Sequence, residues 1–265
     1  MQKNNYLTKH EQLIFDIIKE TDIISIKDIE DMFHELTQNM RYKIVSSLNS
    51  KGYLYRLEKG LYLVQKTPAK EPIIEDPYRL ALSIFKGYIA FSSALRLYNL
   101  IEYEPFTFFV ATPNRSKRLF IGNYEIRAVS MRDRAEGITL YNEIYVSNLE
   151  KTIFDCFYKP QYSGGYETIT KALAADIKID WKNVLYYFKK YSSDSLCQRT
   201  GYILDLMKQE IDYNVPDYCI SYFRNRIKSK TKLIPTSPTK GKYSSKWKLM
   251  DNLGKTTILG WFNGA

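Results

Sequence analysis

The chain has 265 residues, 45% of them hydrophobic, which is enough for two or more packed cores and too much for a disordered chain. Its net charge of +10 is carried mostly by the C-terminal third, a balance that suits polyanionic partners. Three widely spaced cysteines (Cys156, Cys197, Cys219) and two histidines (His10, His34) argue against a disulfide framework or a zinc site, so the cysteines read as buried small hydrophobes. No run of about 18 apolar residues occurs and the start, Met1 to Asn5, is polar, so the sequence predicts a cytoplasmic chain with no membrane contact.

Three helices are predicted first. Thr8-x-x-Glu11 and Ser25-x-x-Asp28 have capping-box spacing, and Thr37 caps a third helix. Apolar residues follow at helical spacing: Leu13, Ile14, Ile17 and Ile18, then Ile26, Ile29, Met32 and Phe33, then Met40, Ile44, Val45 and Leu48. Lys51-Gly52 ends the third helix. An alternating strand, Tyr53 to Leu57, then turns at Glu58-Lys59-Gly60 and returns as Leu61 to Val64. Three short helices and a hairpin predict a winged helix-turn-helix over 1–66.

Charge is polarised within this module. Residues 1–36 hold four lysines against eight acids, whereas 37–65 hold Arg41, Lys43, Lys51, Arg56 and Lys59 against Glu58 alone. The third helix and the hairpin are therefore its positive end, the end to which phosphates are drawn.

At about 100° per residue, Asn39, Tyr42, Lys43 and Ser46 fall opposite Met40, Ile44 and Leu48. We assign those four to the major groove, with Asn39 suited to adenine and Lys43 to guanine or a phosphate. Thr37 and Gln38 at the helix start, Arg41 nearer its buried side, and Arg56 and Lys59 on the wing complete the candidate interface. A plain protein–protein role for the same fold stays open at this stage.

Residues 67–76, with Pro68 and Pro72, read as a linker, and 77–265 as a mixed, mainly helical domain with a small sheet, a subdivision near 160 being left open. Helices are predicted at Tyr78 to Phe85 and Ser92 to Tyr98. Strands follow at Phe106 to Ala111, Arg118 to Ile121, Tyr124 to Val129 and Glu143 to Val146. Ser147-x-x-Glu150 opens a capped helix through Phe157; further helices are expected at Glu167 to Ala175, Trp181 to Tyr191, Ser195 to Gln209 and Asp217 to Lys228, and strands at Trp247 to Met250 and Thr256 to Phe262. The class is α+β.

Between Asp217 and Asp251 no acid occurs, yet Arg224, Arg226, Lys228, Lys230, Lys232, Lys240 and Lys242 do, followed by Lys246 and Lys248. The stretch is either a second nucleic-acid surface or a solvated helix end and loop.

Signals for an enzyme are weak. Gly254-Lys255-Thr256 has the ending of a phosphate-binding loop, but Leu249 stands where that motif needs glycine. Glu125, Asp133, Glu136 and Glu143 have no convincing metal-binding spacing, and no nucleophile elbow occurs. Neither cofactor, metal nor catalytic residue is expected.

Several segments, in order, resemble the AbiEi-type antitoxins of bacterial and archaeal type IV toxin-antitoxin (abortive infection) systems. They are Leu57-Glu58-Lys59-Gly60-Leu61-Tyr62, Gly87-Tyr88-Ile89-Ala90-Phe91-Ser92-Ser93-Ala94-Leu95 and, above all, Val146-Ser147-Asn148-Leu149-Glu150-Lys151-Thr152-Ile153-Phe154-Asp155-Cys156. Gly164-Gly165-Tyr166-Glu167, Arg199-Thr200-Gly201-Tyr202 and Trp247-Lys248-Leu249-Met250-Asp251-Asn252 add to them. The resemblance implies a transcriptional autorepressor that reads inverted repeats upstream of its own operon, as a monomer or a dimer. It also implies a C-terminal domain that counteracts a nucleotidyltransferase-like toxin without a stable complex. The alternative is a stand-alone winged-helix transcription factor whose C-terminal domain senses a ligand or dimerises.

Physical chemistry gives two of these segments structural roles. Glu150 completes a cap while Ile153, Phe154 and Phe157 pack inward, and Arg199 beside Gly201 serves helix packing with its guanidinium satisfied by an acid or carbonyls.

Overall fold

The computed structural model describes residues 6–103 and 105–262. The chain is α+β and divides into two compact units, Met1–Gly87 with Phe106–Ser130, and Tyr88–Pro105 with Met131–Ala265.

The first unit opens with α1 (Lys9–Ile18), β1 (Ile23–Ser25), α2 (Ile26–Met32), α3 (Gln38–Ser50), β2 (Leu54–Glu58) and β3 (Leu61–Val64), and continues with α4 (Pro77–Ile84). All three expected caps form. Thr8 and Ser25 make full capping boxes with Glu11 and Asp28, and the Thr37 hydroxyl accepts from the Met40 amide. β3 lies between β1 and β2, antiparallel to both. Glu58 pairs with Leu61, leaving Lys59-Gly60 as the turn, where a φ of +77° requires glycine.

Ile14, Ile18, Ile29, Val45, Leu48 and Leu54 close a small core, each buried side chain contributing about 1.5–3 kcal/mol. Four residues expected in that core are outside it. Leu13 is 58% exposed and Ile17 51%, and Met32 and Met40 are also exposed. On α1 the buried stripe runs through Ile14, Phe15 and Ile18, about 100° from Leu13 and Ile17, so the apolar face of the helix is wider than the core it covers.

An acid holds the helices together. Glu11, 5% exposed, meets Lys51 Nζ at 2.5 Å at the end of α3. Burial alone raises its pKa, but hydrogen bonds from Lys51, Ser47 and Thr8 bring it down to about 2.

Residues 67–76 do not separate the units. The buried Gln65 amide donates to Gly52 O at 2.9 Å and Ala69 O at 3.1 Å, and its oxygen accepts from Ile73 N at 2.9 Å, so the proline-bearing stretch is clamped back onto the hairpin. The division falls instead after Gly87.

The second unit takes β4 (Tyr88–Ile89) and α5 (Phe91–Leu97) before the chain returns to the first with β5 (Thr107–Thr112), β6 (Lys117–Ile121) and β7 (Tyr124–Ser130). There β5 and β7 are parallel, and β6 and β7 antiparallel. In the second unit β9 (Ile144–Ser147) pairs in parallel with β4 and antiparallel with β8 (Ile138–Tyr141).

Helices then dominate, with α6 (Leu149–Tyr158), α7 (Gly165–Leu173), α8 (Trp181–Tyr191), α9 (Asp194–Ile211) and α10 (Asp217–Arg224). A small sheet of β10 (Thr231–Lys232), β11 (Lys242–Ser244) and β12 (Leu249–Asp251) follows, and then α11 (Lys255–Ile258). The strand expected at Thr256 to Phe262 is absent. Gly254 O accepts from Thr257 and Ile258 to start a helical turn, and Thr170 holds Ile258 O at 2.7 Å.

α6 is capped by Asn148, whose side chain accepts from Lys151 N, and not by Ser147 with Glu150. The Ser147 hydroxyl is instead 2.7 Å from the Thr152 hydroxyl in the core, and Glu150 accepts from the Asp180 amide. Lys151 and Asp155, one helical turn apart, form an ion pair that is completely buried. Lys151 also donates to Tyr88 OH at 3.2 Å and faces the rings of Phe154 and Tyr187. Burial pulls the lysine's pKa down and the aspartate's up, each toward its neutral form.

Gly201 on α9 admits close packing, since a Cβ there would stand 2.3 Å from the Trp247 ring and 2.6 Å from Phe223. All three cysteines are free and buried, and burial pushes the Cys156 thiol up to about 12, leaving it unreactive.

Candidate nucleic-acid interface

α3 is the longest helix before residue 181, and its N-terminal half presents a row of uncommitted side chains. Gln38, Asn39, Tyr42, Lys43 and Ser46 are all exposed, and none has an intramolecular hydrogen-bond or ion-pair partner among the described residues. The burial of Ile44, Val45 and Leu48 turns this face outward. The helix is thus anchored on one side and chemically open on the other, with donors, acceptors and one aromatic ring within two turns.

Arg41 lies toward the buried side of the helix, as its position in the sequence predicts. Its Nη1 donates to Leu36 O at 2.6 Å and Phe33 O at 3.2 Å, so it ties the end of α2 and the following turn to α3. A guanidinium fits two converging carbonyls well, and a group so engaged is a structural brace rather than a phosphate contact. Thr37 is likewise occupied as the cap.

On the hairpin, Lys59 at the turn is exposed and has no partner among the described residues, while Arg56 Nε donates to Glu58 O at 3.4 Å. Glu58, the one acid of this region, is neutralised by Lys117 of β6 at 2.6 Å. That contact brings a basic segment beside the hairpin. Arg115 and Arg118 lie on it, both exposed, with Arg118 5.9 Å from the Phe120 ring centroid. The run Arg115-Ser116-Lys117-Arg118 is a charge cluster in the sequence, but nothing local to it indicates that it lies beside the hairpin.

The C-terminal basic stretch is in a different state. Arg226 at 2.7 Å and Lys228 at 2.8 Å share Asp194, Lys246 meets Asp205 at 2.7 Å, and Lys232 Nζ donates to Ser237 O at 2.7 Å. Lys230 lies 5.8 Å from the Tyr243 ring centroid. Arg224, Lys240 and Lys242 are exposed and have no such partner among the described residues. The acids that neutralise this stretch, Asp194 and Asp205, come from α9, outside the acid-free segment.

Among the described residues no group of three or more histidines, cysteines and acids is placed to hold a metal ion. Glu125 accepts from Thr107 Oγ1 at 3.4 Å, and Glu136 is paired with Lys190 at 2.6 Å. No helix of the described residues is long and apolar enough to cross a membrane.

No protein-family model matches the chain, and no curated protein matches it. Among solved structures it is similar to the RV2827C protein from Mycobacterium tuberculosis, with a TM-score of 0.66 and 14% sequence identity over 99% of this chain and 97% of that one. At this identity the likeness concerns the fold alone, and it extends along nearly the whole of both chains.

Proposed function

We propose that residues 8–64 form a winged helix-turn-helix and that the protein is a DNA-binding autorepressor. The observation that carries the reading is the outward face of α3, where Asn39, Tyr42, Lys43 and Ser46 stand exposed and unpartnered on a helix fixed from behind. Helix order supports it, since α2, a short turn and α3 are followed by a hairpin whose β3 strand pairs with β1, the arrangement that presents a recognition helix and a wing together. Charge supports it too, because Lys43 and Lys59 are free to meet phosphates while the acids lie mostly on α1 and α2.

By its resemblance to AbiEi-type antitoxins, the operator is an inverted repeat upstream of the protein's own operon, and the second unit counteracts a nucleotidyltransferase-like toxin. A footprint on that upstream DNA tests the first half. Protected inverted repeats are expected, and uniform weak protection contradicts sequence reading. Co-expression with a neighbouring nucleotidyltransferase tests the second, with restored growth expected.

A stand-alone regulator with a ligand-sensing second unit is the other reading, and the cavities beside Arg199 favour it.

A further inference from the structure

Three segments singled out in the sequence and not used by the DNA-reading face converge around one residue of the second unit. Arg199 of α9 lines a cavity of about 530 Å³ together with Lys230, Thr231, Lys232, Tyr243 and Met250. It also borders a second cavity, about 680 Å³, walled in part by Gly164, Gly165 and Tyr166. Both volumes lie in the range of small-molecule sites.

The first cavity has three cations and no carboxylate among its lining residues. Arg199 is held in place by two bonds, Nε to Lys232 O at 2.8 Å and Nη2 to Thr231 Oγ1 at 3.2 Å. A guanidinium has five donors, so three remain for a ligand. Among the described residues no acid pairs with it, and burial draws its pKa below the usual arginine value. Among the described residues Lys230 has no hydrogen-bond or ion-pair partner, and its Nζ lies 5.8 Å from the Tyr243 ring centroid. Gathering like charges without a counter-ion is costly unless an anion enters.

The walls are built rather than loose. Asn252 Nδ2 donates to Ile234 O and Pro238 O, each at 2.9 Å, its oxygen accepts from Ile234 N, and Lys232 pins Ser237 O. Tyr243, Met250 and Pro235 supply the apolar and aromatic part of the lining, the Tyr243 ring centroid 5.8 Å from Lys230 Nζ.

We propose that this cavity binds a nucleoside phosphate, with the phosphate on Arg199 and Lys230 and the base against Tyr243 and Met250. The site is independent of the α3 face. Free nucleotides and the phosphorylated end of a single strand share this chemistry.

Calorimetric titration of the full-length protein with ATP tests it, with inorganic phosphate and a 5′-phosphorylated single-stranded oligonucleotide as parallel arms. Saturable binding is expected, weakened about tenfold in Lys230→Gln and more in Arg199→Lys, as loss of charge-assisted bonds requires. Tyr243→Ala should weaken ATP about fivefold and leave phosphate unchanged, because stacking is lost while the charges stay. Competition by the oligonucleotide assigns the site to a strand end, and its failure assigns it to a free nucleotide. Lys230 carries no structural bond, so its variant reads the site even if Arg199→Lys misfolds. No saturable binding of ATP at millimolar concentration, or equal affinity in Lys230→Gln and the wild type, would overturn the proposal.

Discussion

On α3 and the β2–β3 turn, Lys43 and Lys59 are exposed with no partner among the described residues, whereas in the second unit Arg226 and Lys228 share Asp194 and Lys246 is tied to Asp205. By composition the second region is the more basic by far. Counting charge along a sequence therefore overstates the second region, because what attracts phosphate is charge that the fold has not already answered. Part of the charge there is answered, although Arg224, Lys230, Lys240 and Lys242 have no ion-pair partner among the described residues. Surface pairs are worth only about 0–1 kcal/mol, so Asp194 lowers the field of its partners more than it rigidifies them.

The extreme of an answered charge is Lys151, and removing it should have the largest effect. Lys151→Met leaves Asp155 buried without a counter-ion, which costs about 3–5 kcal/mol, read as a lower urea midpoint of the full-length protein. A loss below about 1 kcal/mol would show that the pair is dispensable to the second unit.

Next comes Glu11, the answered charge of the first unit. Its pKa of about 2 lies below the ordinary 4.5, so its stabilisation is complete above pH 4.5 and fades as pH falls toward 2. About 2–3 kcal/mol should disappear over that window and be missing already at neutral pH in Glu11→Gln. Stability of the variant that still falls with the same profile would assign the acid transition to other carboxylates.

Free groups should act on binding and not on folding. Asn39→Ala or Tyr42→Ala should lower operator affinity by about 1–3 kcal/mol with the salt slope kept, since base contacts carry sequence but release few ions. The smallest effect separates the two basic regions directly. Lys59→Ala should flatten the salt dependence by about one unit on any DNA, and Lys228→Ala should leave it unchanged because Asp194 already holds that charge. Equal slopes for both variants would erase the comparison.

Local signals were the readable ones. Thr8, Ser25 and Thr37 announced their helices because a cap depends on three or four neighbouring residues. The three strands of the first unit's second segment were legible from residue pattern, whereas Ile23–Ser25 and Tyr88–Ile89 were not, since two or three residues become strands only by pairing with distant partners. Periodicity located an apolar face on α1 but not whether anything covers it, which is why Leu13 and Ile17 were misplaced.

The candidate site divides the same way. Asn39, Tyr42, Lys43 and Ser46 follow from helix geometry alone, while the inward use of Arg41 depends on two carbonyls set by the α2–α3 turn. Gln65 clamping Ala69 and Ile73 made an apparent linker part of the first unit. The Arg199 cavity was beyond sequence reading because Arg199 precedes the other lining residues, Lys230 to Met250, by 31 to 51 positions.

The central claim rests on α3 reading DNA, and anisotropy of labelled upstream duplex against a scrambled duplex, across a salt series, tests it most directly. The full-length protein should prefer the upstream duplex by a factor on the order of 10³ or more, and the Asn39→Ala, Tyr42→Ala double variant should lose most of that preference while keeping its salt slope. Equal affinity for both duplexes, or a preference that survives in the double variant, would contradict the account.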